Sequence, residues 1–355
     1  MIMIVAHHYV VHAQWDPTLV ESTPIFNVLF AQMLSLGGKL SVNLFILICG
    51  YFMVKERFSL RKLMVLLANV YVFSLFNVIV VYGTGWLEVD QTLLVRSLFP
   101  TLFSAYWFFT NYILLYLFSP VLNRMIEVLD ERLHRYLVLG VIGLWSVIPT
   151  LFGAKPGFSE LIWFMSMYVI GAYFRNHGSV ELFQKRKKWV IATWAVSVVF
   201  LVASVVVLDV LSLSNPEYLM KATSYSDLNQ LPTVLIALTL FVMFTYAKPR
   251  SIPWINRMAT HMFGIYLVHD HPLLRAVLWG QLFSVTMIQT SPLMPVYAIL
   301  SILIVFWSSF VIDVLKHLFL DRGIGSLIDW LIKEVVMKIP YLKPRSSGSS
   351  LITSK

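Results

Sequence analysis

Ten apolar runs divide the chain, and most of them approach the roughly 20 residues that a membrane-spanning helix needs. Short polar stretches separate the runs, which is the pattern of a chain that crosses a bilayer repeatedly. The runs cover residues 1–13, 38–54, 63–82, 103–123, 136–152, 160–174, 189–211, 232–247, 259–279 and 294–315.

The composition agrees with a protein built for the bilayer. Of 355 residues, 58% are hydrophobic and 13% are charged, whereas soluble proteins carry about 25% charged residues. We therefore expect an all-α, polytopic membrane protein, with a single helical bundle in residues 1–320 and a tail in residues 321–355. The net charge of +9 does not call for a nucleic-acid partner, and we expect none, because membrane topology also produces a basic excess.

Lysine and arginine alternate between the two sets of connections. Most of the 27 basic residues lie after the second, fourth, sixth and eighth runs or in the tail. Cytoplasmic loops carry an excess of lysine and arginine, so the alternation predicts ten spans with both termini in the cytoplasm. The serine-rich segment 344–355 is predicted to be disordered.

Three histidines interrupt the first run, which reads MIMIVAHHYVVHAQ. An ionisable group in a membrane helix is costly and is therefore a candidate functional residue. On a helix His8 and His12 share one face, whereas His7 points elsewhere. A neutral imidazole accepts a proton from a hydroxyl near pH 7, so His8 and His12 are candidate general bases. Alternatively, these imidazoles bond neighbouring helices. The pair supplies too few ligands for a metal site, and we expect no metal.

The ninth run carries a second polar group, His269-Asp270-His271, followed by Pro272 and Arg275. A carboxylate beside imidazoles can orient one of them, which makes His269 a further candidate catalytic residue. Adjacent residues point to different faces of a helix, so the alternative is a turn at a helix end.

Small and amide residues within the runs are predicted to join helices. Gly50 in the second run is expected to permit close contact between helices. The amides of Asn69, Asn77 and Asn111 are expected to bond between helices rather than to act in catalysis.

Four stretches together resemble acyltransferase family 3, the bacterial integral-membrane enzymes that O-acylate cell-surface polysaccharides. They are MIMIVAHHYVVH, GKLSVNLFILICGYFMV, YWFFTNYILLYLFSPVLN and FGIYLVHDH, and they occur from one end of the chain to the other. The family signature places an arginine eleven positions before a histidine. That histidine would be His8, and the arginine would fall before Met1, so together with the short first run we expect the natural first helix to begin upstream.

The resemblance implies transfer of an acetyl or another short acyl group from cytoplasmic acyl-CoA to a hydroxyl of a cell-surface or lipid-linked glycan. The enzyme would lie among the lipids of the bacterial plasma membrane, with His8 as the base. If basic residues bind the CoA, then Arg57, Arg61 and Lys62 are preferred over the run Lys185 to Lys188, although all of them are also topology determinants.

A different class of protein, a transporter or flippase for a lipid-linked sugar, is the alternative function. Such a protein would use the same polar groups as a path for its substrate rather than for bond making.

Overall fold

The computed structural model describes residues 1–19, 22–87, 90–212, 214–215, 217–248 and 250–334. Every regular element in these residues is helical, and no β-strand occurs among them. The predicted all-α class is therefore confirmed. The serine-rich segment 344–355, which we predicted to be disordered, lies outside the described residues.

The α-helices of the described residues are numbered in chain order. The first group is α1 (Ile2–Val11), α2 (Ile25–Ser35), α3 (Gly37–Met53), α4 (Leu60–Thr84), α5 (Gln91–Leu98), α6 (Trp107–Glu127), α7 (Glu131–Ile142), α8 (Ile148–Phe152) and α9 (Glu160–His177). The second group is α10 (Val180–Ser212), α11 (Glu217–Lys221), α12 (Leu231–Thr245), α13 (Pro253–Ala259), α14 (Met262–His269), α15 (Pro272–Val277), α16 (Met294–Phe319) and α17 (Asp321–Glu334). A π-helical turn, Gly143–Val147, joins α7 to α8, and another, Leu278–Leu282, follows α15.

Six helical segments of the described chain are long and apolar enough to cross a membrane. They are Ile25–Met53, Leu60–Thr84, Glu131–Phe152, Val180–Ser212, Glu217–Thr245 and Met294–Phe319. By length and composition, these segments are those of a multi-pass membrane protein.

All ten apolar runs fall on helices, but the runs at 1–13, 103–123, 160–174 and 259–279 lie outside those six segments. The first run forms a helix of 10 residues, which is too short to cross the hydrocarbon core of a bilayer. Amide, hydroxyl or charged side chains lower the hydropathy of α6 and α9, and the ninth run is divided among α13, α14 and α15. The ten spans and the cytoplasmic position of both termini are not confirmed and stay predictions.

The chain folds into two compact units, which are described separately. Unit 1 comprises Met1–Glu56, Val121–Ser251 and Ser284–Ile302. Unit 2 comprises Arg57–Pro120, Ile252–Phe283 and Leu303–Lys355.

The centre of unit 1 is the contact between α3 and α9. The two helices approach so closely that a Cβ atom at Gly50 would overlap the carbonyl group of Tyr168, and one at Gly171 would overlap the carbonyl oxygen of Leu47. Small residues allow membrane helices to pack backbone against backbone. The close contact predicted for Gly50 is confirmed.

Two asparagines link α3 and α9 to the rest of unit 1. Asn43 accepts a hydrogen bond from the indole of Trp163 (2.9 Å) and donates one to the carbonyl oxygen of Leu228 (2.7 Å). Asn123 likewise accepts from the hydroxyl of Tyr168 (2.6 Å) and donates to the carbonyl oxygen of Met53. Each amide therefore joins segments that are far apart in the sequence.

In unit 2, α4 packs against α14, α15 and α17. The helix α17 lies within the region predicted as a tail, and it is amphipathic, with Ile328 buried. Its single apolar face explains why it was missed, since a surface helix of this kind does not form a continuous apolar run.

Candidate active site

The two histidines of α1 and its C-cap residue, His12, occupy two faces of that helix. His8 is buried, with 7% of its surface exposed, and its ring lies 5.2 Å from the ring of His12 between centroids. His7 points away from this pair, and its Nδ1 donates a hydrogen bond to the carbonyl oxygen of Ser35 (2.8 Å). The predicted arrangement of one pair and one outlier is confirmed. The hydrogen bond of His7 ties α1 to the end of α2, whereas His8 and His12 face each other on the other side of the helix.

Two glycines at the start of α3 set the orientation of α1. A Cβ atom at Gly38 would overlap the ring of His7, and one at Gly37 would lie 2.7 Å from Cε of Met3. The helix α1 therefore rests directly on the backbone of α3. This contact restricts rotation of α1 and so fixes the direction in which His8 and His12 project.

The chain that follows α1 is held by Gln289, which is 1% exposed. Its side-chain oxygen accepts from the backbone N–H of Asp16 (2.9 Å), and its amide nitrogen donates to the carbonyl oxygen of the same residue (3.2 Å). Asn27 donates to the carbonyl oxygens of Gln289 and Ser291. Sequence reasoning missed this anchor, because nothing local distinguishes a buried glutamine in a polar connection from an exposed one.

In unit 2, α14 ends at His269, and Pro272 begins α15. The Nδ1 atom of His269 donates to the carbonyl oxygen of Ile265 (2.6 Å). A neutral imidazole carries one N–H, so this bond leaves Nε2 as the nitrogen with a lone pair for a proton. Arg275 forms an ion pair with Asp270 (3.5 Å). The segment His269-Asp270-His271 is thus a helix end, as the alternative interpretation proposed. Because Nε2 of His269 can still accept a proton, His269 stays a candidate base.

His271 has a structural role instead. Its Nδ1 accepts from the backbone N–H of Leu273 (3.3 Å), which caps α15, and its Nε2 lies 3.0 Å from Oγ of Ser74. The Ser74 hydroxyl donates to the carbonyl oxygen of Ser97, so it accepts its bond from His271. One neutral tautomer satisfies both nitrogens, and neither is left to take a proton from a substrate.

The carbonyl oxygen of Leu267 anchors the helix that carries His269. Tyr106 donates to it through its hydroxyl (2.7 Å), and Asn77 donates through its amide (3.2 Å). Both side chains are fully buried. The predicted interhelical role is confirmed for Asn77. The prediction that the side-chain amide bonds to another helix is wrong for Asn69 and Asn111, since each donates to a carbonyl oxygen of its own helix.

The start of α14 is fixed by a buried hydrogen bond between a histidine and a carboxylate, and neither residue was among the predicted site residues. Nδ1 of His261 lies 2.7 Å from a carboxylate oxygen of Asp313, and both side chains are less than 10% exposed. Gly264 faces the same carboxylate, which a Cβ atom would overlap. A signal was present in the sequence, because Asp313 is an acid within a 26-residue apolar helix, where ionisable groups are rare.

The predicted CoA-binding residues lie at the start of unit 2. Arg57, Arg61 and Lys62 are exposed. Arg61 forms a two-pronged ion pair with Asp329 of α17 (2.7 and 3.2 Å), and this hydrogen bonding lowers the pKa of the Asp329 carboxyl. Arg61 therefore already has an anionic partner, whereas binding of CoA by any of the three stays a prediction.

The sequence model of an acyltransferase domain matches residues 1–314. The chain belongs to acyltransferase family 3. The match includes α1 with its histidines and α14 with His269, and it ends within α16. Neither a search of curated proteins nor a search of solved structures gave a significant match. Membership in the family makes the chain a membrane acyltransferase, and the resemblance inferred from the four sequence stretches is confirmed.

Proposed function

We propose that this protein transfers an acetyl or another short acyl group from cytoplasmic acyl-CoA to a hydroxyl of a cell-surface or lipid-linked glycan in the bacterial plasma membrane. The observation that carries the proposal is the buried His8, paired with His12 on one face of α1, in a chain of acyltransferase family 3. His7, the other histidine within α1, lies on a different face and its Nδ1 is bonded to the carbonyl oxygen of Ser35.

In the proposed reaction His8 accepts the proton of the acceptor hydroxyl. The hydroxyl oxygen attacks the thioester carbonyl carbon, a C–O bond forms, and the C–S bond breaks. The proton then passes from the imidazolium to the thiolate of CoA, so the products are the O-acyl glycan and free CoA.

The proposed reaction is tested with the purified full-length protein in lipid vesicles. Radiolabelled acetyl-CoA and a lipid-linked glycan extract of bacterial membranes are supplied, and labelled glycan and free CoA thiol are measured. We expect both products to appear together in equal amounts. A transporter or flippase would move the glycan across the bilayer without releasing CoA thiol, and that outcome would contradict the proposal.

We also propose ten spans with both termini in the cytoplasm, and α10 offers a direct test. Its 33 residues extend about 50 Å at 1.5 Å per residue, more than a hydrocarbon core of about 30 Å. Cys49 is the single cysteine of the sequence, so in a Cys49→Ser background a cysteine at Ser214 is expected to be the group that reacts with an impermeant thiol reagent in intact cells. A cysteine at Ser179 should react only after permeabilisation. Reversed labelling would refute the proposed orientation.

A further inference from the structure

A cavity of about 300 Å³ lies in unit 1, where the start of α7, the end of α9, the start of α10 and the end of α12 meet. Its wall is mostly apolar and includes Phe174, Leu182, Phe183, Val190, Leu238 and Val242. Ligand pockets in proteins occupy about 300–1,000 Å³. The cavity therefore has room for part of an acyl chain, and none of the candidate catalytic histidines lines it.

Two charged side chains, Arg186 and Glu131, line this cavity, and they are called its rim below. Arg186 lies on the rim and belongs to a run of four consecutive cations, Lys185 to Lys188, all of which are exposed. Among the described residues, no carboxylate forms an ion pair with any of these four. Glu131 is the acidic residue of the rim, and it lies in the first turn of α7, where the helix dipole stabilises it. Arg186 and Glu131, the two charged residues that line the cavity, offset each other, so the excess of positive charge beside the cavity comes from Lys185, Lys187 and Lys188.

The sequence of α10 places this rim at a membrane surface. The four cations are followed by Trp189, which is 76% exposed, and then by a long apolar stretch that forms a candidate span. Basic residues and tryptophan are enriched at the level of lipid headgroups. Val190, the next residue, already belongs to the apolar wall. The cavity thus presents cations at headgroup level and an apolar wall beside them.

We propose that this cavity binds an anionic phospholipid, with the lipid phosphate on Arg186 and a segment of one acyl chain against the apolar wall. Arg186 and the three lysines beside it attract the headgroup, because clusters of basic residues at a membrane surface attract acidic lipids. The apolar wall contacts one acyl chain, so the proposed lipid is bound at a defined place rather than attracted to the basic surface by charge alone. The proposal does not depend on the acyl-transfer chemistry, so the failure of either leaves the other standing.

The test uses the purified full-length protein and native mass spectrometry, with phosphatidylglycerol as the anionic probe and phosphatidylethanolamine as its zwitterionic counterpart. Arg186→Gln and Lys187→Gln form a matched pair, since each removes one neighbouring cation but only Arg186 lines the cavity. We expect Arg186→Gln to weaken binding of phosphatidylglycerol about fivefold and Lys187→Gln to weaken it less. Glu131→Gln should strengthen it.

Leu238→Trp tests the apolar wall, because the indole would fill the cavity. Val242→Trp serves as a second variant in case the first fails to fold, which monodispersity in size-exclusion chromatography reports. A folded variant of either kind should lose phosphatidylglycerol binding. Retention of wild-type affinity in both would overturn the proposal, as would equal losses for Arg186→Gln and Lys187→Gln or equal binding of the two lipids. Displacement of phosphatidylglycerol by acetyl-CoA would also overturn it, since the cavity would then be a donor site.

Discussion

Alanine in place of His8 is expected to lower acyl transfer by about 10²–10⁴-fold, the contribution of a positioned general base. The reason is that the acceptor hydroxyl must lose its proton as it attacks the thioester, and an alanine cannot accept that proton. The amount of protein in the membrane should not change. The measurement is the rate of labelled glycan formation from acetyl-CoA, divided by the amount of protein in the membrane fraction.

His7→Ala is the matched control, because it removes the neighbouring imidazole from the other face of the same helix. It breaks the hydrogen bond to Ser35, which is worth about 0.5–1.5 kcal/mol of stability, so transfer should fall far less than in His8→Ala. His271→Ala should likewise act through stability, since both of its nitrogens are already bonded. Near-native transfer by His8→Ala would show that His8 is not the base, and His12 or His269 would then be the candidate.

Much of the fold could be predicted because hydropathy is a local signal. A long apolar run between polar stretches identifies a helix without any knowledge of its neighbours, and all ten runs fall on helices. The helix end at Pro272 was also predictable, since proline lacks the N–H that would continue α14. The helices α2, α5, α11 and α17 lie outside the predicted runs, and α13 shares only Ala259 with one of them. α2 has only 11 residues and α11 only five, too few for a spanning run, and α5 and α17 are amphipathic helices that mix polar and apolar residues.

In the candidate site, the sequence predicted only those side-chain positions that follow from the geometry of a single helix. Spacing of four residues places His8 and His12 on one face whatever surrounds them. The roles of His7 and His271 depend on Ser35 and Ser74, which lie 28 and 197 positions away. No local pattern reports such a pairing. The predicted CoA-binding residues show the same limit, because the basic character of Arg61 was visible in the sequence whereas its ion pair with Asp329 was not.

Gly50→Ala is expected to destabilise unit 1 by about 3 kcal/mol, the upper end of the cost of overpacking. The added methyl group would overlap the backbone carbonyl of Tyr168, and a backbone atom in a packed helix cannot turn aside as a flexible side chain can. The helices α3 and α9 would have to separate, which would also stretch the bonds of Asn43 and Asn123. The effect is measured as a lower unfolding temperature of the purified protein, where unfolding is detected as the loss of monodispersity on heating.

Gly140→Ala is the control, because a Cβ atom there has no neighbour within 4 Å. Alanine is the better helix former by about 1 kcal/mol, so this variant should unfold at the same temperature or a higher one. Gly171→Ala should resemble Gly50→Ala, since its methyl group would overlap the carbonyl oxygen of Leu47 across the same contact. Once α3 and α9 have separated to accept one methyl group, the second costs less, so the double variant should lose less stability than the two single losses added. Strict additivity would show that the two glycines do not report on one shared contact.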